Sequence, residues 1–193
     1  MSGKMQSEFQ NLYKEDFVNR FFRDSNRVSD FLVKEVIFMR LWHVDLIPYL
    51  PCRQLVSQWR ECCCIAKDWA EYGSPNHVLV NVVTKYPLNH YIWYCHKVIE
   101  EMNNREYDVR ATSIERLNSN LGIIRDRSKL FNLYPDVMNP IPENALIYPH
   151  WHNDRYLLQN YFNLEEKYDR GGMQSWEWEI IEDFVSSRLE HLL

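Results

Sequence analysis

The chain has 193 residues, with 22 basic and 27 acidic side chains, a formal net charge of −5 and 15% aromatic residues. This length and composition suit one compact domain with an appendage and exclude a low-complexity chain. No apolar run approaches the ~18 residues that a membrane-spanning helix needs, and the first ten residues lack the apolar core of a signal peptide. We therefore expect a cytoplasmic protein that does not contact a membrane.

Residues 1–38 predict amphipathic helix, because their apolar residues recur at steps of three and four. Three interpretations of this N-terminal extension remain open. It is a helical face that docks on the main domain, an arm that binds another protein, or an upstream extension that is absent from the working protein.

The segment 39–64, MRLWHVDLIPYLPCRQLVSQWRECCC, is the one stretch whose residue types, order and spacing together suggest a chemistry. Pro48 and Pro51 keep its middle extended or turned, and Pro51 is well placed to begin a helix over 52–64. The predicted helix has an apolar side and a polar side. The apolar side consists of Leu55, Trp59 and Cys62, and the polar side of Gln54, Gln58 and Glu61.

Five cysteines, three of them consecutive at 62–64, do not predict a disulfide framework, because neighbouring residues of a helix point in different directions. We interpret them as reduced, mostly buried thiols. No second Cys/His cluster with ligand spacing accompanies them, so we predict neither a metal site nor a cofactor.

Segment 39–64 resembles the pyrimidine dimer DNA glycosylase family of phage endonuclease V-like enzymes. The similarity is greatest to its bacterial branch, which begins with MRLWH, continues through DLIP and reaches an R-E-C-C run. The resemblance implies that Met39 supplies an α-amine nucleophile when it is the N-terminal residue, and that Glu61 is the catalytic carboxylate. It also implies that Arg40 and Arg60 bind DNA, together with Gln54, which stands where the family often has a His.

The stretch His77–Val83, HVLVNVV, is apolar and β-branched, and its length does not separate a short strand from a buried helix turn. The family has a His-Val pair near this point that helps to place the DNA. The resemblance therefore assigns DNA binding to His77, with Asn81 as a rival and a purely structural histidine as the alternative.

Two further helices are predicted, over 88–103 and 154–168. The second ends in Asn163-Leu164-Glu165-Glu166-Lys167, which matches four of the five positions of a family motif that binds the DNA backbone. The resemblance therefore makes Lys167 a predicted DNA contact. The intervening residues 111–145 are interpreted as a solvated connecting surface. The candidate phosphate contacts on that surface are Arg116, Arg125, Arg127 and Lys129.

Gly171 and Gly172 break the chain before a predicted acidic helix over 175–192, with Ser175 as its N-cap. Its predicted apolar members are Trp176, Ile180, Phe184 and Leu189. Residues 165–193 contain three basic and eight acidic side chains, which accounts for the whole negative excess of the chain.

These patterns together predict an all-α protein with a single compact helical domain of the endonuclease V type and added helices at both ends. Residues 1–38 are the N-terminal helical extension, 39–168 the glycosylase-like domain and 169–193 the acidic C-terminal helix.

The resemblance implies a DNA repair glycosylase/AP lyase that acts on pyrimidine dimers in ultraviolet-damaged double-stranded DNA through an α-amine Schiff base. The alternative is a non-catalytic nucleic-acid- or protein-binding module of the same fold, with a possible protein partner at 1–38 or 175–193. Translation from Met1 leaves Met39 without a free amine, and Glu61 would then only pair with a neighbouring cation on a solvated helix face.

Overall fold

The computed structural model describes residues 39–128, 138 and 141–190. Within these ranges the regular structure is helical and no β-strand occurs, so the predicted all-α fold is confirmed. The predictions for residues 1–38 lie outside the described residues. The helices are two 3-10 helices, Val44–Tyr49 and Asn81–Lys85, and five α-helices, α1 (Cys52–Tyr72), α2 (Leu88–Asn104), α3 (Ala111–Ser128), α4 (Asp154–Asp169) and α5 (Ser175–Leu189).

One hydrophobic core joins the 3-10 helix Val44–Tyr49 with all five α-helices. Helix α1 packs against α2 and α3, helix α4 packs against α5, and the 3-10 helix contacts both α2 and α5. Among the described helices, none is both long and apolar enough to cross a membrane.

Helix α1 follows Pro51 as predicted and continues two turns beyond Cys64, because apolar residues keep facing the core at Ile65, Ala66 and Ala70. The predicted apolar side is buried, but Gln58 is fully buried too and does not share a solvated face with Glu61. The helix ends at Gly73, whose φ of +82° is a left-handed conformation that glycine adopts without steric cost.

Helix α3 shows that the predicted solvated connection over 111–145 is wrong for residues 111–128. Its residues Leu117, Leu121 and Ile124 recur at i, i+4 and i+7 and are buried. The guanidinium of Arg127 donates to the carbonyl oxygens of Ala70 and Glu71. This side chain therefore satisfies the C-terminal end of α1, and Lys129 lies outside the described residues.

The stretch 77–83 is not a strand, which resolves the alternative left open by the sequence. Val80 and Asn81 both donate their backbone N–H to the carbonyl of His77, at 3.1 and 2.9 Å. The chain therefore forms a turn and then the 3-10 helix Asn81–Lys85.

Helix α5 is preceded by Gln174 as N-cap, not by the predicted Ser175, because Gln174 and Glu177 form a reciprocal capping box. The predicted apolar face is displaced. Leu189 is buried as predicted, but Trp176 is 41% exposed, and the helix buries a set spaced at three and four residues. That buried set is Trp178, Ile181, Val185 and Leu189.

The carboxylate of Glu177 also accepts a hydrogen bond from the backbone N of Cys52, the first residue of α1, at 3.1 Å. Pro51 has no side chain that could cap α1. The C-terminal helix thus belongs to the same core as the rest and completes the start of α1.

All five cysteines are free thiols. Cys62 and Cys95 are buried, whereas Cys64 is exposed, so the expectation of mostly buried thiols holds for part of the set.

Candidate functional site

The segment Met39–His43 has no helical or strand structure of its own, although Leu41, Trp42 and His43 are buried. A buried backbone without a regular ladder must find other hydrogen-bond partners, because unpaired buried N–H and C=O groups are costly. Side chains from the surrounding helices supply these partners.

Gln58 on α1 binds two backbone groups of this segment. Its Oε1 accepts from the N–H of Trp42 at 2.9 Å, and its Nε2 donates to the carbonyl of Arg40 at 3.1 Å. The carbonyl of Arg40 and the N–H of Trp42 flank Leu41, and they are the two groups that a parallel neighbouring strand would bind. One buried amide side chain therefore replaces a strand.

Four further side chains hold the same segment, and they come from α2, from α4 and from the turn before α4. The bonds are Tyr156 Oη to the Leu41 carbonyl (2.6 Å), Tyr94 Oη to the Trp42 carbonyl (2.8 Å), the His43 N–H to Asn160 Oδ1 (3.1 Å) and the Val44 N–H to His152 Nδ1 (3.0 Å).

Glu61, one turn after Gln58, reaches the start of the segment. Its Oε2 accepts a hydrogen bond from the backbone N of Arg40 at 3.3 Å. Burial raises the pKa of Glu61 from 4.5 to about 7, and the bond from Arg40 opposes part of that rise. The carboxyl group can therefore both hold and release a proton near neutral pH.

Two cationic side chains act on Glu61. The charges of Arg40 and Lys167 both favour its ionised form and so lower its pKa, against the effect of burial. The guanidinium carbon of Arg40 lies 4.9 Å from the centroid of the Trp42 ring, a cation–π distance that orients the side chain. The structure thus brings together Arg40, Glu61 and Lys167, three of the residues singled out from the sequence, and Met39 directly precedes Arg40.

Tyr156 belongs to the same cluster and was not predicted. Burial raises its pKa to about 12, and the charges of Arg40 and Glu61 both influence it. The available signal was the i, i+4 spacing of Tyr156 and Asn160 on α4, where polar residues recur on the face that also carries the buried Leu157 and Leu164.

Two buried histidines stack behind the segment. The rings of His43 and His152 have centroids 5.2 Å apart, and His152 stacks again on Tyr156 at 5.2 Å. Burial lowers the pKa of both histidines, which keeps them neutral. Neutrality matters for His152, because its Nδ1 can accept from Val44 only when that nitrogen carries no proton.

The other predicted site residues lie elsewhere. Arg60 is exposed on α1, and Gln54, two turns before Glu61, is half-buried with an Oε1 that finds no hydrogen-bond partner among the residues that the structure describes. His77 is bound within its own turn, where its N–H donates to Asn81 Oδ1 at 3.0 Å and its Nδ1 accepts from Leu79. His77 and its rival Asn81 are therefore partners of each other.

Within residues 39–128, 138 and 141–190, no group of three or more His, Cys, Asp or Glu side chains could hold a metal ion. The chemistry available at this site is that of a partly buried carboxyl group beside two cationic side chains.

Residues 39–115 match the family described as pyrimidine dimer DNA glycosylase. The match covers less than half of the chain and starts at the residue from which the sequence resemblance was drawn. No curated protein and no solved structure matches the chain.

Proposed function

We propose that the protein is a DNA repair glycosylase with AP lyase activity, because residues 39–115 match the family described as pyrimidine dimer DNA glycosylase. Its substrate is a pyrimidine dimer in ultraviolet-damaged duplex DNA. The observation that best supports this proposal is the hydrogen bond between Glu61 and the backbone of Arg40, which puts a carboxyl group of pKa about 7 beside residue 39.

The proposed nucleophile is the α-amine of Met39 in a chain that begins there. An α-amine has a reference pKa of ~7.7–8.0, so a useful fraction is neutral near pH 7–8. The amine nitrogen forms a bond to the sugar C1′ while the glycosidic bond breaks and the base leaves with its electron pair. The C1′–O4′ bond then opens to give the Schiff base, and loss of a C2′ proton to a base expels the 3′ oxygen with the electrons of the C3′–O bond, which is β-elimination.

Glu61 is the proposed acid/base group. As a carboxylate it stabilises the cationic sugar and takes a proton from the attacking amine, and as an acid it returns a proton during ring opening. A pKa near 7 suits both steps, since each form is populated at neutral pH.

DNA contacts are proposed for both ends of the site. Arg40 and Lys167 flank Glu61 and would hold the phosphates beside the lesion, and Arg60, Gln54 and His77 would bind further along the duplex. Extrusion of a base opposite the lesion would open the path to the sugar.

Borohydride trapping of the Schiff base on ultraviolet-damaged duplex tests this proposal. Three proteins are compared: the chain from Met1, the chain from Met39, and the chain from Met39 with Glu61→Gln. We expect covalent trapping from Met39, none from Met1, and loss of turnover in Glu61→Gln. Glu71→Gln, which alters an exposed carboxylate at the end of the same helix, is the matched control and should trap like the parent.

Undamaged duplex of the same sequence should give no trapped product. If none of the proteins traps or cuts damaged DNA, the catalytic proposal fails. The non-catalytic binding module of the same fold then replaces it.

A further inference from the structure

The backbone of residues 40–44 is held almost entirely by side chains. Seven of its N–H and C=O groups bond to side chains of Glu61, Gln58, Tyr156, Tyr94, Asn160 and His152. These side chains are far from the segment in sequence, from 16 to 117 residues away.

Such an arrangement has a cost, because each buried polar side chain must be desolvated and fully paired. In a helix or a strand, the same backbone groups would form hydrogen bonds to other backbone groups, and no buried amide or hydroxyl side chain would be needed. The contacts therefore serve to keep one short segment in one position.

Gln58 and Tyr156 make the contacts closest to Glu61. Gln58 is 0% exposed and spans from Arg40 to Trp42, while the Tyr156 hydroxyl binds the carbonyl of Leu41 between them. Three consecutive residues are thus fixed from α1 on one side and α4 on the other.

We propose that Gln58 and Tyr156 are positioning residues, which hold the backbone of residues 40–42 and thereby keep the nitrogen of Met39 beside Glu61. The catalytic consequence rests on the proposed function. The positioning does not rest on the proposed function, because it concerns only how well residues 40–44 are ordered in the full chain.

Amide hydrogen exchange on the full chain tests the positioning. Tyr156→Phe removes only the hydroxyl that binds Leu41, and we expect exchange at residues 40–44 to become roughly tenfold faster, the effect of one lost hydrogen bond. Gln58→Met removes two bonds without changing side-chain length and should accelerate exchange further, on the order of a hundredfold.

The controls are Tyr161→Phe, on the same helix α4 as Tyr156, and Gln159→Met, which makes the same substitution as Gln58→Met at an exposed glutamine of α4. They should leave exchange at residues 40–44 unchanged, and all four variants should leave the amides of α2 protected. The proposal is overturned if Tyr156→Phe and Gln58→Met exchange no faster at 40–44 than their controls.

A second readout links the segment to turnover, in whichever form of the chain traps damaged DNA. Positioning predicts that Tyr156→Phe lowers kcat and leaves KM for the damaged duplex unchanged. A raised KM with unchanged kcat would instead make Tyr156 a DNA contact and contradict positioning. If the parent protein shows no turnover at all, the proposed function fails, and hydrogen exchange alone decides whether the segment is positioned as stated.

Discussion

The Oε2 atom of Glu61 accepts a hydrogen bond from the backbone N of Arg40, a residue 21 positions earlier in the chain, at 3.3 Å. The bond joins a partly buried carboxyl group of α1 to the first residues of the matched segment. The bond also holds Glu61 where its charged form is poorly solvated, so the stability of the protein should depend on the ionisation of this residue.

Replacing Glu61 by glutamine should stabilise the protein at alkaline pH. The folded-state pKa of Glu61 is raised from 4.5 to about 7, so its contribution to stability is complete below pH 4.5 and is lost as the pH rises through 7. Glutamine stays neutral and can still accept from Arg40. At about pH 8 we expect Glu61→Gln to increase the free energy of unfolding by up to ~3 kcal/mol.

Urea unfolding at about pH 4 and about pH 8 measures this effect. The two proteins should be similar at the lower pH and diverge at the higher one, and Glu71→Gln should track the parent throughout. An equal difference at both pH values would argue against a buried, charge-sensitive Glu61.

The contribution of His152 to stability should depend on pH in the opposite direction to that of Glu61. Its pKa lies well below the usual 6.5 because it is buried, so its contribution to stability is complete above pH 6.5 and is lost as the pH falls below that value. Protonation also removes the acceptor that binds the N–H of Val44. We expect His152→Gln to lose less stability than the parent on acidification.

The measurement is best made in a Glu61→Gln background, where the opposing titration is absent. The comparison is unfolding at about pH 7 and about pH 5, with His150→Gln as the exposed control. Identical acid sensitivity with and without His152 would show that other groups carry the effect.

Replacing Gly172 or Gly122 by alanine should change the stability of the protein in opposite directions. A Cβ at Gly172 would lie 2.8 Å from the backbone oxygen of Lys167, so Gly172→Ala must displace the end of α4 and should cost about 1–3 kcal/mol. A Cβ at Gly122, inside α3, meets nothing within 4 Å, and Gly122→Ala should stabilise by roughly 0.5–1 kcal/mol. Chemical denaturation of both variants checks the pair, and a stabilising Gly172→Ala would contradict the packing at this turn.

Neutralising the exposed carboxylates of α5 should strengthen non-specific DNA binding. Glu179, Glu182 and Asp183 are exposed, and their charges oppose the approach of phosphate. The triple change to Gln, Gln and Asn leaves the buried face of α5 intact, whereas deletion of the helix would remove part of the core. Binding titrations should show a gain at low salt that shrinks as the ionic strength rises, because exposed charges are screened over ~10 Å at 0.1 M. A gain independent of salt would not be electrostatic.

The sequence predicted the all-α fold and the starts of α1, α2 and α4, because prolines and three-to-four spacing of apolar residues mark them. The sequence did not predict α3, because polar and charged residues separate its buried Leu117, Leu121 and Ile124. Arg127, interpreted from the sequence as a phosphate contact, instead binds the end of α1. Helix α5 was found but its face was displaced, since aromatic residues lie on both sides of it.

At the site, the resemblance identified Glu61 and Arg40, which the structure brings together, but not the side chains that hold them. Gln58 looked like a solvated helix residue because hydrophobic periodicity cannot tell an amide facing water from one facing a buried backbone. Tyr156 lies 115 residues from the carbonyl that it binds, a distance in sequence over which local patterns carry no information.

The start of α1 has a consequence for where DNA can bind. A helix N-terminus normally offers free N–H groups and a partial positive charge, which together attract phosphate. In this protein the carboxylate of Glu177 already occupies that position on Cys52. A phosphate arriving there would meet a resident anion, so this end of α1 is a poor site for a phosphate group.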